Sequence, residues 1–146
     1  MHAYIAGPMF NPGELYYLAQ IDARVRKAGL TTFLNQRDGI PFTGPQSVEP
    51  IFKEDVEQVT KADVVVASLN GMDVDSGTAW ELGLAYARGK YIVGVYTDLR
   101  LHFKYQTVNL MIQGGLDHLS TDLDDLEWHL AEYLKRKTTK PAGKKA

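Results

Sequence analysis

Cysteine is absent from the 146 residues, which excludes disulfides and thiolate chemistry and agrees with a reducing compartment. No stretch approaches the ~20 apolar residues that a membrane helix requires. The start, Met1-His2-Ala3-Tyr4-Ile5, lacks the basic segment and long apolar run of a secretory leader and reads as a strand. A soluble, cytoplasmic protein without a membrane partner is expected. Phosphate-cradling signatures are missing as well. There is no GxxxxGK(S/T), and GPMFNPG follows the first apolar segment with the wrong spacing for a GxGxxG dinucleotide site. The histidines, His2, His102, His118 and His129, are scattered without metal-ligand spacing, and no Ser-His-Asp triad can be assembled. Neither a metal nor an organic cofactor is expected.

Charge of one sign is also scarce where it would matter. The formal net charge is −2, but residues 135–146 hold six of the sixteen Lys and Arg and no acid. The remaining body is acidic, which makes it a poor nucleic-acid binder. The tail reads as a solvated end rather than a nucleic-acid arm.

What is present alternates between two patterns. Short apolar runs at 3–6, 30–34, 64–69 and 91–96 read as strands, and a fifth is expected at 116–119. Helical spacing covers 15–28, 47–61, 78–88 and 121–134, with a short helix or turn at 108–112. Residues 35–46 are polar and rich in Gly and Pro, and read as a long loop, as do 98–107. The run Val64-Val65-Val66-Ala67-Ser68-Leu69 is apolar without alternation, as in a central parallel strand covered on both faces. This β-α alternation predicts an α/β fold: a doubly wound, five-stranded parallel sheet of flavodoxin-like or Rossmann-like type flanked by helices. A single domain is expected over 1–134, followed by the basic tail.

The chemistry concentrates between Asp73 and Gly89, where the strand at 64–69 turns into a helix. In such sheets ligands bind at the carboxyl ends of the strands. Asp73, Asp75 and Glu81 are placed there by sequence. Thr78-Ala79-Trp80-Glu81 also fits a capping box, with Thr78 as N-cap and Glu81 at N3, and a capping role alone would explain that spacing. Asp55, beside Glu54 and Glu57, fits a solvated helix face. Asp63 marks the start of a strand.

The pattern DSGTAWELGxA after VVVASL resembles the nucleoside 2-deoxyribosyltransferase family. Tyr4-Ile5-Ala6-Gly7-Pro8-Met9-Phe10 is similar to that family's first strand and loop. Asn35-Gln36 falls where the family places a base-contacting glutamine, and Asp55 falls where it places a base-contacting aspartate. Asn109-Leu110-Met111 resembles a segment that reaches into a neighbouring subunit's site. The resemblance implies transfer of 2-deoxyribose between nucleobases through a covalent deoxyribosyl-glutamate, a retaining double displacement. It implies Glu81 as nucleophile, Asp75 and Asp55 as partners of the base, and Gln36 as a reader of the base edge. Tyr4 would orient Glu81. Met9, Phe10, Trp80 and Met111 would supply apolar walls, Gly77 would lie against the substrate, and Asn109 would bind the sugar 5′-hydroxyl. Its substrates would be 2′-deoxynucleosides and free nucleobases, in a nucleotide-salvage setting. The assembly would be a homo-oligomer built from dimers, up to a hexamer.

Some family members place a C-terminal carboxylate in the site, whereas this chain continues through KRKTTKPAGKKA. The alternatives are a 2′-deoxynucleoside 5′-monophosphate N-glycosidase and a non-catalytic nucleotide-sensing module. The former would favour a phosphate donor in place of Asn109. A phosphoribohydrolase of the cytokinin-activating type is disfavoured because no PGG precedes Gly77.

Overall fold

The computed structural model describes residues 1–100 and 108–139. Five parallel strands form one sheet: β1 (His2–Ala6), β2 (Thr31–Leu34), β3 (Val64–Ser68), β4 (Tyr91–Val95) and β5 (His118–Ser120). Their spatial order is β2-β1-β3-β4-β5, the flavodoxin-like arrangement. The direction of winding reverses between β1 and β3, and Tyr4 of β1 is aligned with Val65 of β3. A crevice at the carboxyl ends of these two strands is therefore the expected ligand site.

Side chains alternate across the sheet and feed two cores. Ala3, Ile5, Val64, Val66, Val93 and Val95 pack on α1 (Pro12–Lys27) and α6 (Leu123–Thr139) through Leu18, Ile21, Val25, Leu126 and Leu130. Tyr4, Ala6, Val65, Ala67 and Ile92 face the other way, toward α3 (Val48–Lys61) and α4 (Ser76–Ala87), where Val59, Leu82 and Ala85 meet them. All five residues of β3 are buried, which accounts for its unbroken apolar run. Gly94 in β4 allows close packing, because a Cβ there would come 2.6 Å from Leu69 and 2.8 Å from Leu116.

Local signals explain the element ends. Asn11 caps α1 by accepting from the Glu14 amide at 3.0 Å, Pro12 occupies the first turn, and the Glu14 carboxylate accepts from the Phe10 amide at 2.7 Å. Asp63 accepts from the His2 amide at 2.8 Å, so the residue expected to mark a strand start ties two strand starts together. Past β3, Gly71 has φ of +122°, a turn that few other residues adopt. Asn70 beside it accepts from the Thr97 amide at 2.8 Å, joining the ends of β3 and β4.

Four expectations change. The stretch 35–46 is not a plain loop: it begins with one helical turn, α2 (Asn35–Asp38), and leads into a 3-10 turn at Pro45–Ser47. The α2 turn is held by tertiary bonds rather than by periodicity. Arg37 pairs with buried Asp22 of α1 at 2.9 Å, and Asp38 accepts from the Leu34 amide at 2.9 Å. The short helix expected at 108–112 is α5 (Leu110–Gly115), and the fifth strand starts two residues later than expected and ends one residue later. The last helix continues past Leu134 to Thr139, where Thr138 and Thr139 hydroxyls donate to carbonyls one turn back. The rest of the basic tail and most of the expected 98–107 loop lie outside the described residues. Among the described residues no helix is long and apolar enough to cross a membrane.

Candidate active site

The carboxyl ends of β1 and β3 carry a cluster of polar side chains among apolar walls. Tyr4 is fully buried in β1 and stacks on Phe33 of β2 at 5.8 Å between ring centroids. Its hydroxyl donates to Glu81 Oε1 at 2.6 Å and accepts from Asn35 Nδ2 at 3.1 Å. Burial, then the neighbouring Glu81 and Asp55 carboxylates, push the Tyr4 phenol far above its ordinary range. It therefore stays protonated and serves as a donor.

Glu81 is not where a capping box would put it. The N-cap of α4 is Asp75, whose Oδ2 accepts from the Thr78 amide at 3.0 Å and the Thr78 hydroxyl at 3.1 Å. Both Asp75-x-x-Thr78 and Thr78-x-x-Glu81 satisfy capping spacing, and the earlier one prevails because Thr78 is buried against the sheet. Glu81 consequently lies in the second turn, with its side chain turned inward to Tyr4. Burial raises its pKa to about 7, opposed by the Tyr4 hydrogen bond and reinforced by the negative charges of Asp55 and Asp75.

Asp55 projects from α3 into the same cluster rather than onto a solvated face. Burial raises its carboxyl above the ordinary value, opposed by the Asn35 amide, and Glu54 adds a like-charge push. Its Oδ1 is buried without a hydrogen-bond partner, as is Asn35 Oδ1. Two buried acceptors without donors in one cluster are a feature that a ligand would relieve. Asp73 stays outside: it is exposed, and its Oδ1 accepts from the Val74 amide at 2.9 Å.

The other expected site residues are placed unequally. Gly77 lies in the first turn of α4, where a Cβ would approach Asp75 Oδ2 to 3.2 Å. Gln36 is exposed, and its Nε2 donates to the Leu15 carbonyl at 3.0 Å, on the α1 side. Its neighbour Asn35 is the residue that enters the cluster. Sequence reasoning assigned Asn35 no role; the available signal was its position directly after the buried end of β2, where the chain turns inward. Met9 and Phe10 lie on the loop after β1 and are exposed. Trp80 is half exposed and tilts against Phe52 of α3, with 5.3 Å between ring centroids.

Asn109 caps α5 by accepting from the Met111 amide at 2.9 Å. It is exposed, and beside it Leu110 and Met111 are 70% and 85% exposed. This turn borders an apolar cavity of about 370 Å³ lined by Leu82, Tyr86, Ile92, Met111 and Leu116. Among the described residues no group of three or more His, Asp or Glu is arranged to hold a metal ion.

Several solved structures share this architecture. A conserved protein from Enterococcus faecalis V583 superposes with a TM-score of 0.76 at 24% identity, over 91% of this chain and 98% of that chain. A 2-deoxyribosyltransferase from Bacillus psychrosaccharolyticus gives 0.74 at 28% identity, over 87% of this chain and 90% of that one. A 2-deoxyribosyltransferase from Leishmania mexicana gives 0.70 at 22% identity, over 90% and 97% respectively. No curated protein sequence matches the chain. The family model for nucleoside 2-deoxyribosyltransferases matches residues 3–125, and the chain belongs to this family of nucleoside-processing enzymes.

Proposed function

We propose that the protein transfers 2-deoxyribose between nucleobases through a covalent adduct on Glu81. The observation that carries this reading is the buried Tyr4–Glu81 contact of 2.6 Å at the point where the sheet reverses its winding. Glu81, ionised, attacks C1′ of a 2′-deoxynucleoside. The N-glycosidic bond breaks, and its electron pair leaves with the base nitrogen. A 2′-deoxy sugar favours this step because no 2′-hydroxyl withdraws electrons from the oxocarbenium-like centre. A second base then attacks C1′ from the face the first one left, and the Glu81 carboxylate is released. Two inversions give net retention.

A proton must reach the departing base and leave the incoming one. Asp55 suits this task, since burial favours its protonated form at higher pH than for an ordinary aspartate. Asp75 has Oδ2 committed to the α4 cap, which leaves Oδ1 for the base or sugar side. Tyr4 holds Glu81 in line and stabilises its charge. Gly77, beside Asp75, lets the substrate approach the helix end closely. Met9 and Phe10 are free to close over the base, and Gln36 reads its edge once its side chain swings away from the Leu15 carbonyl. Asn109 and Met111 serve the site of a neighbouring copy in a dimer-based homo-oligomer, an arrangement favoured by their exposure beside an apolar cavity. Water is the competing acceptor, so transfer dominates where the closed site keeps water out.

Incubation with 2′-deoxyinosine and adenine is the direct test. New 2′-deoxyadenosine is expected, in amounts exceeding free deoxyribose. Free sugar alone would mean hydrolysis, and preference for 2′-deoxynucleoside 5′-monophosphates would move the reading to a nucleotide N-glycosidase. Unchanged substrates with every deoxynucleoside and base pair would leave a ligand-sensing role.

A further inference from the structure

The Tyr4 hydroxyl has one proton and two carboxylates within reach. It donates to Glu81 at 2.6 Å, and the Asp55 carboxylate lies near enough to push the phenol's pKa up. On its own, such a hydroxyl would divide its proton between the two. Asn35 removes the ambiguity. Its Nδ2 donates to the Tyr4 oxygen at 3.1 Å, and its amide favours the charged form of Asp55 against the push of burial. With the amide donating to the phenolic oxygen, the phenolic proton is turned to Glu81.

The orientation of the amide follows from its surroundings. A flipped Asn35 would set its oxygen against the Tyr4 oxygen, whose one proton is committed to Glu81. In the observed orientation Oδ1 is buried and unpartnered instead, under Gly39, where an added Cβ would lie 3.2 Å from it. An unmatched buried acceptor is costly. The fold accepts that cost while holding the turn rigidly, through Arg37 on Asp22 and Asp38 on the Leu34 amide.

We propose that Asn35 is a positioning residue that directs the Tyr4 proton onto Glu81. The proposal rests on the transferase reading for its catalytic consequence, but the hydrogen-bond relay stands without it. The groups facing Glu81 are Tyr4 from β1, Asp55 from α3 and Asp75 from the turn before α4; Glu54 also faces Asp55. Asn35 is a neutral member of this cluster and donates to Tyr4.

The test is nuclear magnetic resonance of the whole protein with carboxyl-labelled Glu and Asp and nitrogen-labelled Asn. In the wild type the Asn35 side-chain amide resonances should exchange slowly with solvent and shift with the Glu81 titration, near pH 7. Freely exchanging resonances that ignore that titration would overturn the proposal without any variant. In Asn35→Ala and Asn35→Leu the Glu81 midpoint should rise by up to about one pH unit, the scale of one lost hydrogen bond to a charged relay. In Tyr4→Phe the same Asn35 changes should leave the Glu81 midpoint where Tyr4→Phe alone puts it. Turnover should fall about tenfold through kcat, with KM held within about threefold. Folded Asn35 variants with an unmoved Glu81 midpoint would overturn the relay. A wild type showing the resonance coupling but no base exchange would overturn the transferase reading and leave the relay intact.

Discussion

Tyr4 and Glu81 stand 77 positions apart in sequence, and one hydrogen bond of 2.6 Å joins the middle of the sheet to the second turn of α4. That bond is the main force lowering a Glu81 pKa that burial otherwise raises. Replacing Tyr4 by Phe keeps the ring and its stacking on Phe33 while removing the donor. Turnover should fall by about 10–100-fold, the range for a hydrogen bond to a charged group. The acid limb of kcat/KM should move to higher pH. A full pH–rate profile checks both; an unmoved limb would show that Tyr4 packs without steering.

Glu81 itself should be a source of instability. Its folded-state pKa of about 7 lies above the ordinary carboxylate value of the unfolded chain. The folded state thus holds a proton that the unfolded state has lost, so stability is highest below the unfolded pKa and declines as pH rises through 7. The loss is on the order of 3 kcal/mol above pH 8. Glu81→Gln removes the titration. It should abolish turnover, melt well above the wild type at pH 8, and approach it near pH 4. Thermal melts at the two pH values measure this difference.

Asp75 combines a cap with a possible part in the chemistry, and two substitutions separate them. Asparagine is as good an N-cap as aspartate, whereas alanine costs about 1 kcal/mol. Asp75→Asn should keep the melting temperature and lose activity, while Asp75→Ala should lose both. If Asp75→Asn retains full base exchange, the cap is the whole of its role.

A shared site predicts complementation. Asn109→Ala and Glu81→Ala should each be nearly inactive alone. If the two are unfolded and refolded together in equal amounts, mixed dimers hold one site with both residues intact. About a quarter of wild-type activity should then return, by random pairing in a two-fold dimer. No recovery would place Asn109 in the site of its own chain, or outside any site.

Much of the architecture was legible in the chain. The apolar run at 64–69 and the helical stripe through Leu18, Ile21 and Val25 are periodic signals, and burial on the sheet enforces them. The membership of Tyr4, Asp55 and Glu81 in one cluster was not readable from spacing and came through the family resemblance. Two features escaped for physical reasons. The α2 turn has no periodicity to detect, because Arg37 and Asp38 hold it through partners elsewhere. The α4 cap was misplaced by one turn, because two overlapping segments obey the same local rule and only burial of Thr78 chooses between them. Asn35 gave less signal than Gln36, since the resemblance pointed to the glutamine. The strand exit turns the asparagine inward.

The position of β1 between two paired strands has a further consequence. Tyr4 is flanked by Phe33 on one side and Val65 on the other, so its backbone amide sits where opening requires the sheet itself to come apart. Asn109, Leu110 and Met111 ride on a short exposed turn at the periphery. Deuterium should enter that turn on a timescale of local fraying and reach Tyr4 only through global unfolding. One half of the substrate's surroundings would thus be as durable as the whole protein. The other half would depend for its order on what docks against it.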